Sequence, residues 1–165
     1  MNPPPTTLAH LVRDLWQQGE RPGFLRLLST TGAVESFSYR EVVNLALRWA
    51  GFYAQRGLVR GSRVVVILPH SVDLYAAYLG ALLGGKIPAM FAFPSAKLST
   101  ADYSRTIGDL LANAEPELVV TYAELKRHLV TLLPARAALF VCQPLDLPAV
   151  EPGTFSDDGS PDDTA

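Results

Sequence analysis

The sequence is poor in the residues that most site chemistry uses. A single cysteine, Cys142, excludes an intrachain disulfide. Its place inside an apolar run makes it a small buried hydrophobe, and a cytoplasmic, reducing location is expected. Three histidines are too dispersed to form a metal set, and His10 and His128 fall on expected helices, where an ordinary surface or partly buried role suits them. Charge is scarce as well. The 14 Lys and Arg against 16 Asp and Glu give a net charge of -2, and the basic residues form no stripe, which excludes the footprint of a nucleic-acid partner. No transmembrane segment is expected, because Pro69, His70, Asp73, Lys86 and Pro88 interrupt the apolar region 64–93. Residues 1–7 lack the basic-then-apolar order of a signal peptide.

Motifs with chemistry are equally thin. There is no GxGxxG after a strand, no Cys/His cluster with metal spacing and no GxSxG elbow. Gly80, Gly85 and Lys86 match the spacing of a phosphate-binding loop, but Ile87 stands where a magnesium-binding Ser or Thr belongs. These glycines also lie within and at the end of an expected helix, where close packing and C-capping account for them.

What is present is patterning. With 48% hydrophobic residues, 165 residues can bury one core of ordinary size. Residues 63–68 are a continuous β-branched apolar run, suited to a strand covered on both faces. Ser71 is placed to cap a helix whose apolar residues Leu74, Tyr75, Tyr78, Leu79, Leu82 and Leu83 recur at helical spacing, with Asp73 in its first turn. Gly84-Gly85 ends that helix, and residues 87–93 read as the next strand, with Pro88 near its start. The unit is βαβ, which implies parallel neighbours.

The flanks extend this plan. Residues 1–5 are a Pro-rich, disordered lead; Thr6 or Thr7 then caps a helix with Leu8, Leu11, Val12, Leu15 and Trp16 on one face, ending at Gly19. Residues 24–28 and 34–37 read as a hairpin. Ser38 and Glu41 have capping-box spacing before a helix that runs to about residue 56, with a stripe of Val42, Leu45, Ala46, Trp49, Phe52 and Tyr53. Beyond residue 93 the expected elements are a helix over 103–114 with Tyr103, Ile107, Leu110 and Leu111 inward, a strand over 118–121, a helix over 122–133 and a strand over 137–142. From residue 143 to 165 prolines alternate with acidic residues, and this tail is expected to form no regular element. The expected architecture is α/β: a mostly parallel sheet with helices on both faces, preceded by a helix and a β-hairpin.

In such a sheet the strand C-terminal ends share one edge, where ligands of open α/β folds bind. His70 and Ser71, Pro94 and Ser95, and Thr121 and Tyr122 each follow a strand and are the candidate substrate-edge residues. The bland reading makes Ser71 a helix cap, Ser95 a loop residue and His70 a solvated turn residue.

Three stretches carry a resemblance. Residues 37–42 (Phe-Ser-Tyr-Arg-Glu-Val) resemble the S/T-Y-x-E-L motif of the adenylate-forming enzymes, with Val42 for Leu. Residues 61–69 resemble their G-D-R-V strand, with Ser62 for Asp, and residues 79–89 resemble their L-x-x-G-x-x-x-V-P motif, with Ile87 before the proline. That superfamily holds acyl-CoA synthetases, fatty-acyl-AMP ligases and nonribosomal-peptide adenylation domains; the region around Phe93-Pro94-Ser95 and the 103–114 helix look closest to the fatty-acyl-AMP ligases. The resemblance implies that residues 6–142 are the first subdomain of the synthetase fold. It further implies ATP and Mg in the parent enzyme, a fatty acid or other carboxylate as substrate, coenzyme A or a carrier protein as acceptor, and the remaining ligase domains as partners. The family's Pro-Lys-Gly phosphate loop does not occur here, and residues 161–165 are similar to its lead-in. The chain is therefore read as an N-terminal fragment, with no bound cofactor and no activity of its own expected. A stand-alone flavodoxin-like nucleotide module and a purely structural or interaction domain are the alternatives.

Overall fold

The structure is a computed structural model that describes residues 8–17, 19, 23–28, 32–94, 99–142 and 147–151. Helix α1 (Leu8–Gln17) precedes a hairpin of β1 (Leu25–Leu28) and β2 (Val34–Phe37), which pair antiparallel with Leu25 opposite Phe37 and Leu28 opposite Val34. Helix α2 (Tyr39–Gln55) follows at once. Its capping box is formed: the Glu41 amide donates to Ser38 Oγ at 3.3 Å, and the Ser38 amide donates to Glu41 Oε2 at 2.7 Å, so two otherwise orphaned helix amides satisfy each other. Beyond it run β3 (Arg63–Val66), α3 (Val72–Leu83), β4 (Ile87–Met90), α4 (Thr100–Ala114), β5 (Leu118–Thr121), α5 (Ala123–Leu129) and β6 (Ala138–Val141).

The main sheet is parallel throughout, in the order β4-β3-β5-β6. β3 lies inside it and is apolar on both sides, because helices cover both faces. Val64, Val66, Leu118, Val120 and Phe140 meet Trp49, Phe52, Tyr53 and the α3 residues Leu74, Ala76, Ala77 and Ala81. Val65, Ile67 and Val119 meet Tyr103, Ile107 and Leu111 of α4 and Leu125 and Leu129 of α5. The period-two alternation of the strands thus feeds two separate apolar layers. Val12 of α1 packs with Val43 and Leu47 on a third side of α2. Among the described residues no helix is long and apolar enough to cross a membrane.

Several expected details differ. The buried face of α3 is Leu74, Ala76, Ala77, Gly80 and Ala81, whereas Tyr75, Tyr78, Leu79, Leu82 and Leu83 lie only half-buried on its flanks. The small residues win the interior because α2 packs tightly there; a methyl group on Gly80 would collide with the Ala46 carbonyl oxygen. Leu110 and Leu11 are exposed, since the inward line of α4 is Tyr103, Ile107 and Leu111, and that of α1 centres on Val12. The helix expected over 122–133 ends earlier: the amides of Leu132 and Leu133 both donate to the Leu129 carbonyl, a turn that folds these leucines back onto the α4 layer. β4 stops at Met90 and the strands expected over 24–28, 63–68 and 137–142 are each trimmed by a residue or two, whereas those over 34–37 and 118–121 form with the expected bounds.

The amino-terminal edge of the sheet is charged. The Arg63 amide donates to Glu117 Oε2 at 2.5 Å, and the Arg136 guanidinium lies 2.9 Å from the Glu115 carboxylate. Of these contacts, the exposed Arg136–Glu115 ion pair adds little stability. They set this edge apart from the opposite one, where aromatic groups collect.

Candidate functional site

Because all four strands run the same way, their carboxyl ends emerge together. The ladder continues one step past the strands: the Ile67 amide donates to the Val120 carbonyl at 2.8 Å, Phe91 to Val66 at 3.0 Å and Cys142 to Thr121 at 2.6 Å. These bonds hold the roots of the crossover loops at one level. His70 leaves the β3 exit exposed, with its ring edge-to-face on Phe93 of the β4 exit, centroids 5.5 Å apart. Ser71 beside it is committed as the α3 cap, accepting from the Leu74 amide at 3.3 Å. Pro94 is exposed, and Ser95 lies outside the described residues.

Thr121 ends β5 fully buried, and its Oγ1 has no hydrogen-bond partner among the described residues. Tyr122 is half-buried and touches both apolar layers; burial raises its phenol, as does the neighbouring Glu124 carboxylate. Tyr103, at the start of α4, donates its hydroxyl to the Ala92 carbonyl at 2.9 Å and so ties α4 to the β4 exit. Burial, with the nearby Tyr122, pushes its phenol up to about 12. Both tyrosines therefore stay protonated across the physiological range and serve as donors and walls rather than as bases.

The edge thus brings His70, Phe93, Tyr103 and Tyr122 around the β3, β4 and β5 exits, with Thr121 beneath. Sequence spacing named His70, Pro94, Thr121 and Tyr122. It placed Tyr103 only in the core, because nothing in a helical period tells which inward residue reaches a loop carbonyl. Phe93 was read as the end of a strand, and its partnership with His70 appears only across the β3 and β4 exits.

Chemically the edge presents aromatic faces and tyrosine hydroxyls. Among the described residues no group of three or more His, Cys, Asp and Glu could hold a metal ion. The rejected phosphate loop stays rejected. Gly80 is buried inside α3, Gly85 follows the helix with φ of 69°, and Lys86 turns its ammonium onto the Gly84 carbonyl, with burial and Arg60 both lowering its pKa.

One carboxylate near this end, Asp73, is read from spacing only as a first-turn residue of its helix. Asp73, half-buried in the first turn of α3, has its pKa raised by burial, an effect partly offset by Trp49 and Arg48. Among the described residues the Trp49 indole N–H has no partner within hydrogen-bond geometry, so its influence on Asp73 is electrostatic rather than a formed bond. With its folded pKa above the unfolded value, Asp73 favours the folded state at low pH and loses that contribution as pH rises through its raised pKa. Relative to Asp73→Asn, the melting temperature of the parent should accordingly fall as the solution is taken from acidic to neutral pH. Identical pH profiles would refute the assignment.

No protein-family model matches the chain, and no curated protein matches its sequence. Solved structures do. A fatty acyl-adenylate ligase from Legionella pneumophila, in complex with acyl adenylate and pyrophosphate, superimposes with a TM-score of 0.67 at 18% identity, over 84% of this chain and 23% of that one. The adenylation domain of a keto acid-selecting NRPS module, bound to keto acyl adenylate, gives 0.75 at 18% identity, over 96% of this chain and 29% of the other. An acyl-CoA synthetase from Brucella canis gives 0.65 at 22% identity, over 86% and 25%. At these identities the likeness is one of fold. The fold is that of the N-terminal subdomain of the adenylate-forming ligases, and the chain spans about a quarter of the length of the structures it matches.

Proposed function

We propose that this chain is the N-terminal part of an ATP-dependent acyl-activating ligase, nearest the fatty-acyl-AMP ligases. In the parent reaction a carboxylate oxygen attacks the α-phosphorus of ATP and the bond to the bridging β-phosphate oxygen breaks, releasing pyrophosphate. A thiol sulfur of coenzyme A or a carrier protein then attacks the acyl carbon and AMP departs. The observation that carries this reading is the four-stranded parallel sheet with its carboxyl edge lined by His70, Phe93, Tyr103 and Tyr122, in a fold shared with ligases that hold acyl adenylates.

Within this reading residues 6–142 form the subdomain and 143–165 lead out of it. His70, Ser71, Pro94, Ser95, Thr121 and Tyr122 lie on the substrate side, and the protein works in the cytoplasm. The described residues do not fit the ATP–Mg group by themselves. No glycine-rich turn follows a strand, and Lys86 is engaged with a carbonyl. Triphosphate binding needs convergent amides and cations, so those contacts belong to other parts of the parent. What this chain contributes is one wall of a cleft whose other wall lies elsewhere.

The reading is tested by extending the chain. The full reading frame should encode a Pro-Lys-Gly loop soon after Ala165, and its product should exchange labelled pyrophosphate into ATP when given fatty acids. Residues 1–165 alone should show no exchange and no ATP binding tighter than about 100 μM, roughly 5.5 kcal/mol. A frame that stops without the loop, a full product inactive with every carboxylate offered, or exchange by the short chain would each overturn it.

A further inference from the structure

Residues 147–151, which follow β6 in the chain, form no helix or strand, yet they are seated on α2. Arg48 Nη2 donates to the Leu147 carbonyl at 2.9 Å and its Nε donates to the Pro148 carbonyl at 3.1 Å, so one guanidinium grips two successive peptide units. Leu147 is buried in the layer that holds Trp49 and Phe140, while Val150 packs against the separate cluster of Val12, Val43 and Leu47. One α-helical turn beyond Arg48 stands Gly51. A Cβ there would lie 3.2 Å from Val150 Cγ2 and 3.4 Å from Pro148 Cγ, closer than the segment accommodates without shifting.

We propose that residues 147–150 are a strap that seats and releases as a unit, with Arg48 as its positioning residue and Gly51 as the gap that admits it. Among the described residues the strap joins no ladder of the sheet; Arg48 and the packing of Leu147 and Val150 hold it, so it opens without breaking strand pairing or the apolar layer on the far face of the sheet. The strap is a property of this chain whatever reaction the parent performs, so its test needs no activity.

The test uses the purified 165-residue chain with methyl-labelled Val and Leu. In the parent, a cross-peak between the Val150 methyls and the Gly51 α-protons reports the seated strap, and thermolysin cleavage at the Ala149–Val150 bond reports its opening. Arg48→Met, which keeps the apolar stem and removes the donors, should abolish the cross-peak and speed cleavage roughly tenfold or more, with the Val65 and Val119 methyls of the far layer unmoved. Arg48→Lys, a single point donor, should fall between. Gly51→Leu should release the strap with Arg48 intact, and it keeps the test decisive if Arg48→Met does not fold. The proposal is overturned if Gly51→Leu leaves cleavage at the parental rate, or if either variant shifts the Val65 and Val119 methyls of the far layer together with the strap.

Discussion

Replacing Gly80 by alanine destabilises the fold, reversing the ordinary effect of that substitution in a helix. In an exposed helix interior, alanine is preferred over glycine by about 1 kcal/mol. At position 80 the new methyl group would lie 2.5 Å from Trp49 Cβ and closer still to the Ala46 carbonyl oxygen. Both neighbours belong to α2, whose face toward α3 is pinned by the fully buried Trp49 and Tyr53, with the Tyr53 hydroxyl donating to the Ala77 carbonyl at 3.0 Å. Neither helix can retreat without opening the layer above β3. A net loss of roughly 2 kcal/mol or more is expected, read as a lower urea midpoint at unchanged slope. Gly108→Ala is the internal control. Its added Cβ meets only Leu132 Cδ2 at 3.6 Å, an ordinary contact, so the same change in α4 should raise the midpoint. If Gly80→Ala matched or exceeded the parent, the close approach of α2 and α3 would be wrong.

Val66→Asp has the larger effect. Val66 is fully buried, pairs with Met90 on one side and Val120 on the other, and faces the α2–α3 layer. A carboxylate there must be charged without solvent or neutral at the cost of a strongly raised pKa. Either way the loss is about 4 kcal/mol or more, enough to consume most of the stability of an ordinary domain. The chain should lose its cooperative thermal transition by circular dichroism. Ile87→Asp, at an exposed position of the edge strand β4, should shift stability by only about 0.5 kcal/mol. A melting temperature for Val66→Asp near the parent's would contradict the two-sided burial of β3.

Residues 63–68 alone were sufficient to identify a strand buried on both faces, because an unbroken β-branched run has no polar side to give to water. Ser38 with Glu41, and Ser71 before its helix, announced the helix starts, since capping is settled within four residues of chain. The βαβ order and the shared carboxyl edge followed from connection length and handedness, and with them His70, Thr121 and Tyr122 as edge residues. These are local or topological facts, and sequence determined them. Tertiary structure decided the rest. It chose the order β4-β3-β5-β6, turned the alanine and glycine face of α3 inward where the leucine and tyrosine stripe was expected, and left Leu110 outside. It also set His70 on Phe93, tied Tyr103 to the Ala92 carbonyl, and laid residues 147–150 across Arg48 and Gly51. Each of these depends on how near two elements distant in sequence approach. Hydrophobic period tells which side of a helix is apolar, but it does not carry the distance to the neighbour, and that distance selects small residues over large ones.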